Sequence, residues 1–124
     1  MKSRQRPAQD IPQRKISETF LDFADPIMET LPEDVSAAQM DRTLKIAYTV
    51  WNAMVLHEVK GDRHYLDLIQ AAVGQDPDVT TLVSALMERK RTRFRSDHRL
   101  IGIYEIIEKH GELILRADVR AIPA

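Results

Sequence analysis

The sequence predicts an α+β domain that is mostly helical, with three to four helices around a central apolar helix and a C-terminal β-hairpin. Two observations predict this architecture. Between residues 16 and 87, apolar residues recur at three- and four-residue steps, as on one face of an α-helix. After residue 100, apolar and polar residues alternate, which is typical of a half-buried strand. A chain of 124 residues suits one domain that buries roughly two-thirds of its unfolded surface.

Composition excludes several classes of protein. The apolar fraction of 44% and the charged fraction of 30% are typical of a folded globular chain. Without cysteine there is no disulfide framework, zinc–thiolate site or thiol nucleophile. No apolar run approaches the roughly 20 residues of a membrane span, and residues 1–15 lack the apolar core of a signal peptide. We therefore expect a cytoplasmic protein with no membrane partner.

Residues 1–15 carry a net charge of +4, two prolines and no regular apolar period. They predict a flexible basic arm in front of a single domain over residues 16–124. The first helix follows, with an apolar stripe formed by Ile16, Phe20, Phe23, Ile27 and Leu31. Because Pro26 lacks an N–H group and crowds the preceding turn, we expect a kink here or two short helices sharing one face.

The central helix is predicted over about residues 37–59. Ser36 and Gln39 have the spacing of a capping box, and Gly61 is placed to end the helix. The segment LKIAYTVWNAMVL is apolar on nearly all sides, so it must be surrounded by the rest of the chain or by a second subunit. Thr49 and Asn52 lie on a narrow polar stripe with Lys45, and they form either a small polar pocket or an exposed edge.

Two shorter helices follow. The third is expected from Asp62 to Val73, with its inward residues being Tyr65, Leu68, Ile69 and Ala72. The fourth begins at Asp76-Pro77, a capping residue followed by proline at the first helical position. Its apolar stripe consists of Val79, Leu82, Val83, Leu86 and Met87, and it leads directly into a basic run.

The hairpin is predicted from about residues 100–108 and 112–120, with a two-residue turn at His110-Gly111. That turn pairs Ile106 with Leu115, Tyr104 with Ala117, Gly102 with Val119, and Glu105 with Arg116. The last pair brings opposite charges together across the strands. The competing interpretation is a helix that ends at Gly111, since the same segment contains apolar residues at helical spacing.

Charge is arranged in blocks. Residues 16–41 carry a net charge of −7, and residues 89–99 carry +5 within the run MERKRTRFRSDHR. The run has two interpretations. Its cations stabilise the end of a helix and pair with the acidic block, or they contact nucleic acid or another acidic partner, with Phe94 stacking on a base. The candidate contact residues are Arg89, Arg91, Arg93, Arg95 and Arg99.

Helical geometry favours the first interpretation. At 100° per residue these cations surround the helix instead of forming a stripe. Lys90 falls on the apolar axis itself, so we expect the helix to have left the core by that turn. A pI of about 6.4 and the lack of a recognisable DNA- or RNA-binding motif also argue against nucleic acid.

Catalytic signals are weak. The four histidines, His57, His64, His98 and His110, do not have the spacing of a metal site. No serine lies in a nucleophile elbow, and no glycine-rich phosphate loop is present. The sequence therefore indicates no catalytic residue, metal ligand or cofactor.

Two segments resemble a known group of proteins. KISETFLDFADPI (residues 15–27) and TVWNAMVL (residues 49–56) look like parts of small uncharacterised bacterial proteins of similar length. Those families have no assigned activity, so the resemblance implies a bacterial cytosolic origin and no functional residues.

These observations lead to an ordered set of functional hypotheses. The first is a non-enzymatic, self-associating protein–protein interaction module, present as a homodimer that weakens as salt rises. The second is an accessory protein that binds nucleic acid through residues 89–99. The third is a small enzyme or metal-binding protein.

Overall fold

The computed structural model describes residues 14–123, which form four α-helices followed by two β-strands. The elements are α1 (Ile16–Met28), α2 (Ala37–Lys60), α3 (His64–Val73), α4 (Pro77–Thr92), β1 (Leu100–Lys109) and β2 (Glu112–Arg120). The strands pair in an antiparallel two-stranded sheet. This confirms the α+β class and the C-terminal hairpin, and the alternative helix ending at Gly111 is wrong. The basic arm expected over residues 1–15 lies outside the described residues except for Arg14 and Lys15.

The central helix is α2, which contacts α1, α3, α4 and β1. Both reciprocal bonds of the predicted capping box are present, because Ser36 Oγ accepts from Gln39 N at 3.1 Å and Gln39 Oε1 accepts from Ser36 N at 3.0 Å. Gly61 ends the helix with φ 68°. Every residue from Val50 to Leu56 is buried by other parts of the same chain. This burial removes the apolarity of α2 as a reason to require a second subunit.

Helix α1 is one helix that includes Pro26 in its last turn, not two short helices. Proline lacks the N–H that would bond the Asp22 carbonyl oxygen four residues earlier. Arg89 Nη2 donates to that carbonyl at 2.7 Å instead. A side chain from α4 therefore supplies the hydrogen bond that Pro26 removes.

The predicted inward face of α3 is right for Ile69 and wrong for Tyr65, Leu68 and Ala72. Leu66 and Ile69 are buried, whereas Tyr65 is 46% exposed and Leu68 is 52% exposed. Apolar residues occupy both sides of this ten-residue helix, so their spacing alone does not select the buried face. The contact of Leu66 and Ile69 with the core selects it.

Helix α4 begins as predicted, since the Asp76 carboxylate accepts from Asp78 N at 3.0 Å and Val79 N at 3.4 Å. It does not leave the core before its last turns. Lys90 is 0% exposed, and its side chain is among the largest fully buried ones of the described chain. Lys90 lies on the apolar axis as predicted, and the prediction that the helix has left the core by that turn is wrong.

The hairpin turns at His110 (φ 54°) and Gly111 (φ 81°), the two positive values that a type I′ turn requires. Its register has the predicted pairs Ile106–Leu115, Tyr104–Ala117 and Glu105–Arg116. The predicted pair Gly102–Val119 is wrong, because Val119 pairs with Ile101.

A β-bulge in β1 causes this shift. Gly102 and Ile103 together oppose Asp118, whose Oδ1 accepts a hydrogen bond from Ile103 N at 2.8 Å. A Cβ atom at position 102 would overlap the same carboxylate oxygen. A side chain at position 102 would have to displace the Asp118 carboxylate from Ile103 N. The bulge brings Ile101 into register with Val119.

Candidate functional site

Asn52 and Thr49, two residues of the polar stripe of α2, do not share one pocket. Asn52 is 8% exposed, and its amide pairs with the backbone of Ile101: Nδ2 donates to Ile101 O at 2.9 Å, and Oδ1 accepts from Ile101 N at 2.8 Å. Next to it, Trp51 Nε1 donates to Arg99 O at 2.7 Å. The Asn52 amide thus satisfies the hydrogen-bonding groups of the Ile101 backbone at the start of β1, as a neighbouring strand would. Its role is structural.

Thr49 lies apart from Asn52, on the exposed side of α2. Its hydroxyl donates to Lys45 O at 2.8 Å. Thr49 and Lys45 separate two surface grooves, one of about 710 Å³ beside the β-bulge and one of about 490 Å³ between α2, α3 and α4. Thr49 therefore lies on an exposed edge, the second of the two alternatives, whereas Asn52 is buried.

The basic run packs against the core through Lys90. Its Nζ donates to Glu58 Oε1 at 2.7 Å and to Phe94 O at 2.9 Å, and lies 4.9 Å from the centre of the Trp51 ring. The aliphatic stem of a lysine tolerates apolar surroundings, and Glu58 balances its charge. This arrangement explains why a cation occupies the apolar axis of α4.

Phe94 is not available to stack on a base. It is 8% exposed, and its ring contacts Trp51 at 5.6 Å and Phe23 at 5.8 Å between centroids, both edge-on. The prediction that this aromatic residue belongs to a nucleic-acid surface is wrong, because it belongs to the core.

Asp22 is the member of the acidic block that contacts the basic run within residues 14–123. Its carboxylate lies 2.9 Å from Arg89 Nη2 and 3.4 Å from Arg93 Nη2, and it also accepts from Arg14 at 2.8 Å. Burial acts to raise the pKa of Asp22, but the Arg14 hydrogen bond and the charges of Arg93, Arg14 and Arg89 outweigh it and lower the pKa. The block thus pairs with the run at one point.

The carboxylate partner of Arg99 lies within the basic run itself. Its guanidinium donates to the Asp97 carboxylate twice, at 2.6 Å and 2.9 Å, and also to Arg14 O at 2.8 Å. Burial acts to raise the pKa of Asp97, but the hydrogen bonds from the Arg99 side chain and backbone, together with nearby positive charge, lower it.

The other candidate arginines face solvent. Arg91 pairs with Glu88 at 2.9 Å on the surface of α4. Arg95 is exposed, and no ion pair within residues 14–123 includes it. Arg93 is 59% exposed despite its contact with Asp22. The structure therefore leaves Arg91, Arg93 and Arg95 accessible and directs Arg89 and Arg99 inward.

The hairpin presents a different kind of surface. Ile103 is 79% exposed, Val119 is 51% exposed and Ile114 is 39% exposed. Ile103, Glu105 and Ile107 share the outer face with Ile114 and Arg116, while Leu115 on the opposite face is buried. No third strand from residues 14–123 joins the sheet, so both of its edges lack a strand partner within that range. Alternation in the sequence shows this outer face, but the free edges follow only from the strand count.

Neither a metal centre nor a membrane span is found in the described part of the chain. No three of its His, Asp and Glu side chains are grouped to hold a metal ion, and none of its helices has the length and apolarity to cross a bilayer. No family model matches the chain, and no curated protein or solved structure is significantly similar to it.

Proposed function

We propose that this protein is a self-associating interaction module, in which strand β2 pairs with β2 of a second copy to give a four-stranded antiparallel sheet. The observation that supports this function best is the two-stranded sheet with free edges and exposed isoleucines. A free edge is a template for pairing with another chain. Pairing between copies would extend the sheet.

The turn determines which backbone groups face outward. Lys109 and Glu112 flank a two-residue turn and form a hydrogen-bonded pair, so hydrogen-bonded and non-hydrogen-bonded pairs alternate from there. The N–H and C=O groups of Leu113 and Leu115 consequently point away from β1. They are positioned to bond the same groups of a second β2 strand.

The side chains of β2 are self-complementary about Ile114. Antiparallel pairing centred there puts Ile114 opposite its own copy and Glu112 opposite Arg116 twice, once on each side of the two-fold axis. On the inner face, Leu113 meets Leu115. If the pairing were centred on Leu115 instead, Glu112 would lie opposite Asp118, a pair of like charges. If it were centred on Arg116, the two copies of Arg116 would lie opposite each other. Cross-strand charge pairing therefore favours one register.

Strand β1 is the less suitable edge. Pairing centred on Ile107 would also oppose unlike charges, Glu105 and Lys109, on the outer face. On the inner face, however, it would place Ile106 opposite Glu108, an apolar residue opposite a carboxylate. The same face of β2 pairs leucine with leucine, which is why we assign the interface to β2.

The expected salt dependence follows from this register. The two Glu112–Arg116 pairs would lie on a solvent-facing surface, where ion pairs are weak and screened by salt. Dimerisation should therefore weaken as the salt concentration rises, while the Ile114 contact and the backbone hydrogen bonds remain.

The test uses Ile114→Cys, because the chain contains no cysteine of its own. In the proposed register the two copies of residue 114 form a non-hydrogen-bonded pair, whose Cα atoms are about 4.5 Å apart. This distance lies within the range of about 4.4–6.8 Å found for disulfides. Mild oxidation at micromolar concentration should give a covalent dimer on a non-reducing gel. Light scattering of the unmodified chain should give a dimer mass, and Ile114→Arg should return it to a monomer mass.

Ile107→Cys is the matched control, since Ile107 pairs with Ile114 in the same hairpin. In the proposed sheet the two copies of residue 107 are three strand spacings apart, about 14 Å, and should not cross-link. Cross-linking through residue 107 but not 114 would assign the interface to β1. A monomer mass at low salt, with no cross-linking at either position, would overturn self-association.

A further inference from the structure

A second surface feature is separate from the hairpin. A cavity of about 430 Å³ lies between the end of α2, the start of α3 and the last turns of α4. This volume falls within the roughly 300–1,000 Å³ of small-molecule sites. Its lining divides into an apolar set, Met54, Leu66 and Met87, and a polar set, His57, Glu58, Arg63 and Arg91.

The apolar set forms the inner wall. Met54 and Leu66 are each 2% exposed, and Met87 is partly buried against the same core. Methionine side chains are flexible and polarizable, so they adapt to ligands of different shape. This wall suits a short hydrocarbon chain.

The polar set places two guanidinium groups, those of Arg63 and Arg91, at the mouth of the cavity. Arg63 is held by Asp67 at 3.7 Å and Arg91 by Glu88 at 2.9 Å, and all four side chains are more than half exposed. Such surface pairs contribute little and exchange readily. Both guanidinium groups can therefore turn towards an anion, and their paired N–H groups match the two oxygens of a carboxylate.

Glu58, the carboxylate in the lining, does not cancel this positive charge. The buried Lys90 Nζ lies 2.7 Å from Glu58 Oε1, and His98 Nε2 lies 3.8 Å from the same oxygen. Lys90 balances Glu58 from the core side, so Glu58 does not compete with a ligand carboxylate for Arg63 and Arg91. The buried lysine thus has a consequence at the surface as well as in the core.

We propose that this cavity binds a small amphiphilic carboxylate, with its hydrocarbon chain against Met54, Leu66 and Met87 and its carboxylate between Arg63 and Arg91. The site lies on the helices and not on β2. It therefore does not depend on self-association, and each monomer has one complete site.

Octanoate is the first probe, with octanol as the uncharged analogue and acetate as the analogue without a chain. Methyl NMR of the full chain reports on the five methionines separately. Octanoate should shift the Met54 and Met87 methyl signals saturably, and octanol and acetate should bind at least ten-fold more weakly. Equal binding of octanol, or a shift that does not saturate at millimolar octanoate, would overturn the proposal.

The variant test combines Arg63→Gln with Arg91→Gln, and Arg95→Gln is the matched control because Arg95 is exposed outside the cavity lining. The double variant should retain the wild-type melting temperature and lose at least ten-fold in octanoate affinity. The control should bind octanoate as the wild type does. Unchanged affinity in the double variant would show that the arginines do not bind the carboxylate and would overturn the assignment.

Discussion

Three cations of the basic run, Arg89, Lys90 and Arg99, are held very differently from three others, Arg91, Arg93 and Arg95. The side chains of the first group are 18%, 0% and 18% exposed, whereas those of Arg91 and Arg93 are 53% and 59% exposed and Arg95 is also exposed.

The carbonyl oxygens explain the difference. Each member of the inward group donates to a main-chain carbonyl oxygen as well as to a carboxylate: Asp22 O for Arg89, Phe94 O for Lys90 and Arg14 O for Arg99. Asp22 O lacks its usual helical donor because of Pro26, and the other two lie where a helix ends or begins. Main-chain carbonyl groups that lack a helical donor can accept from a side chain instead, so cations of the same run become structural wherever such a group is within reach. The density of positive charge alone therefore indicates no function.

The largest expected effect comes from Lys90→Met, which keeps the apolar stem and removes the ammonium group. Glu58 and Phe94 O then lose their donor, so we expect a loss of about 3 kcal/mol in the free energy of unfolding, measured by urea denaturation. The double variant Lys90→Met, Glu58→Gln should recover part of this loss, because no unpaired carboxylate remains. Wild-type stability in the single variant would show that Lys90 contributes no more to folding than the exposed arginines do.

Arg89→Ala should have an intermediate effect. It leaves the Asp22 carbonyl without a donor and should cost about 1–2 kcal/mol in urea denaturation. Arg95→Ala, the exposed control, should stay within about 0.5 kcal/mol of the wild type.

A Pro26→Ala background sharpens this test. Alanine restores an N–H for Asp22 O, so Arg89→Ala should cost less there than in the wild type, in a double-mutant cycle. Equal costs in both backgrounds would contradict the conclusion that Arg89 replaces the helical hydrogen bond that Pro26 removes.

The smallest expected effect is at acid pH. The pKa of Asp22 and the pKa of Asp97 are both lowered in the folded chain. Their contribution to stability is therefore complete above the unfolded pKa, near 4, and is lost as pH falls through the lower folded values. Asp97→Asn should flatten the decrease in stability between about pH 4 and pH 2, measured by urea denaturation across that range. A decrease as steep as that of the wild type would mean that Asp97 contributes nothing to it.

Parts of the candidate sites could be predicted, and the reason is geometric. The position of Lys90 on the apolar axis follows from helical angles. The partners of Lys90 could not be predicted, because Glu58 lies 32 residues away and meets it only when α2 packs on α4. Nor could Asn52 be assigned to Ile101, 49 residues away. The cavity below Arg63 and Arg91 likewise needs three helices in place.

The sequence by itself determined what short-range physics controls. The Ser36 capping box, the Asp76-Pro77 start of α4 and the His110-Gly111 turn each depend on bonds between residues only a few positions apart. Tertiary structure alone decided which face of α3 is buried, where β1 bulges and which cations turn inward. Those outcomes depend on competition between distant groups for the same volume and the same hydrogen-bond acceptors, and local spacing carries no information about that competition.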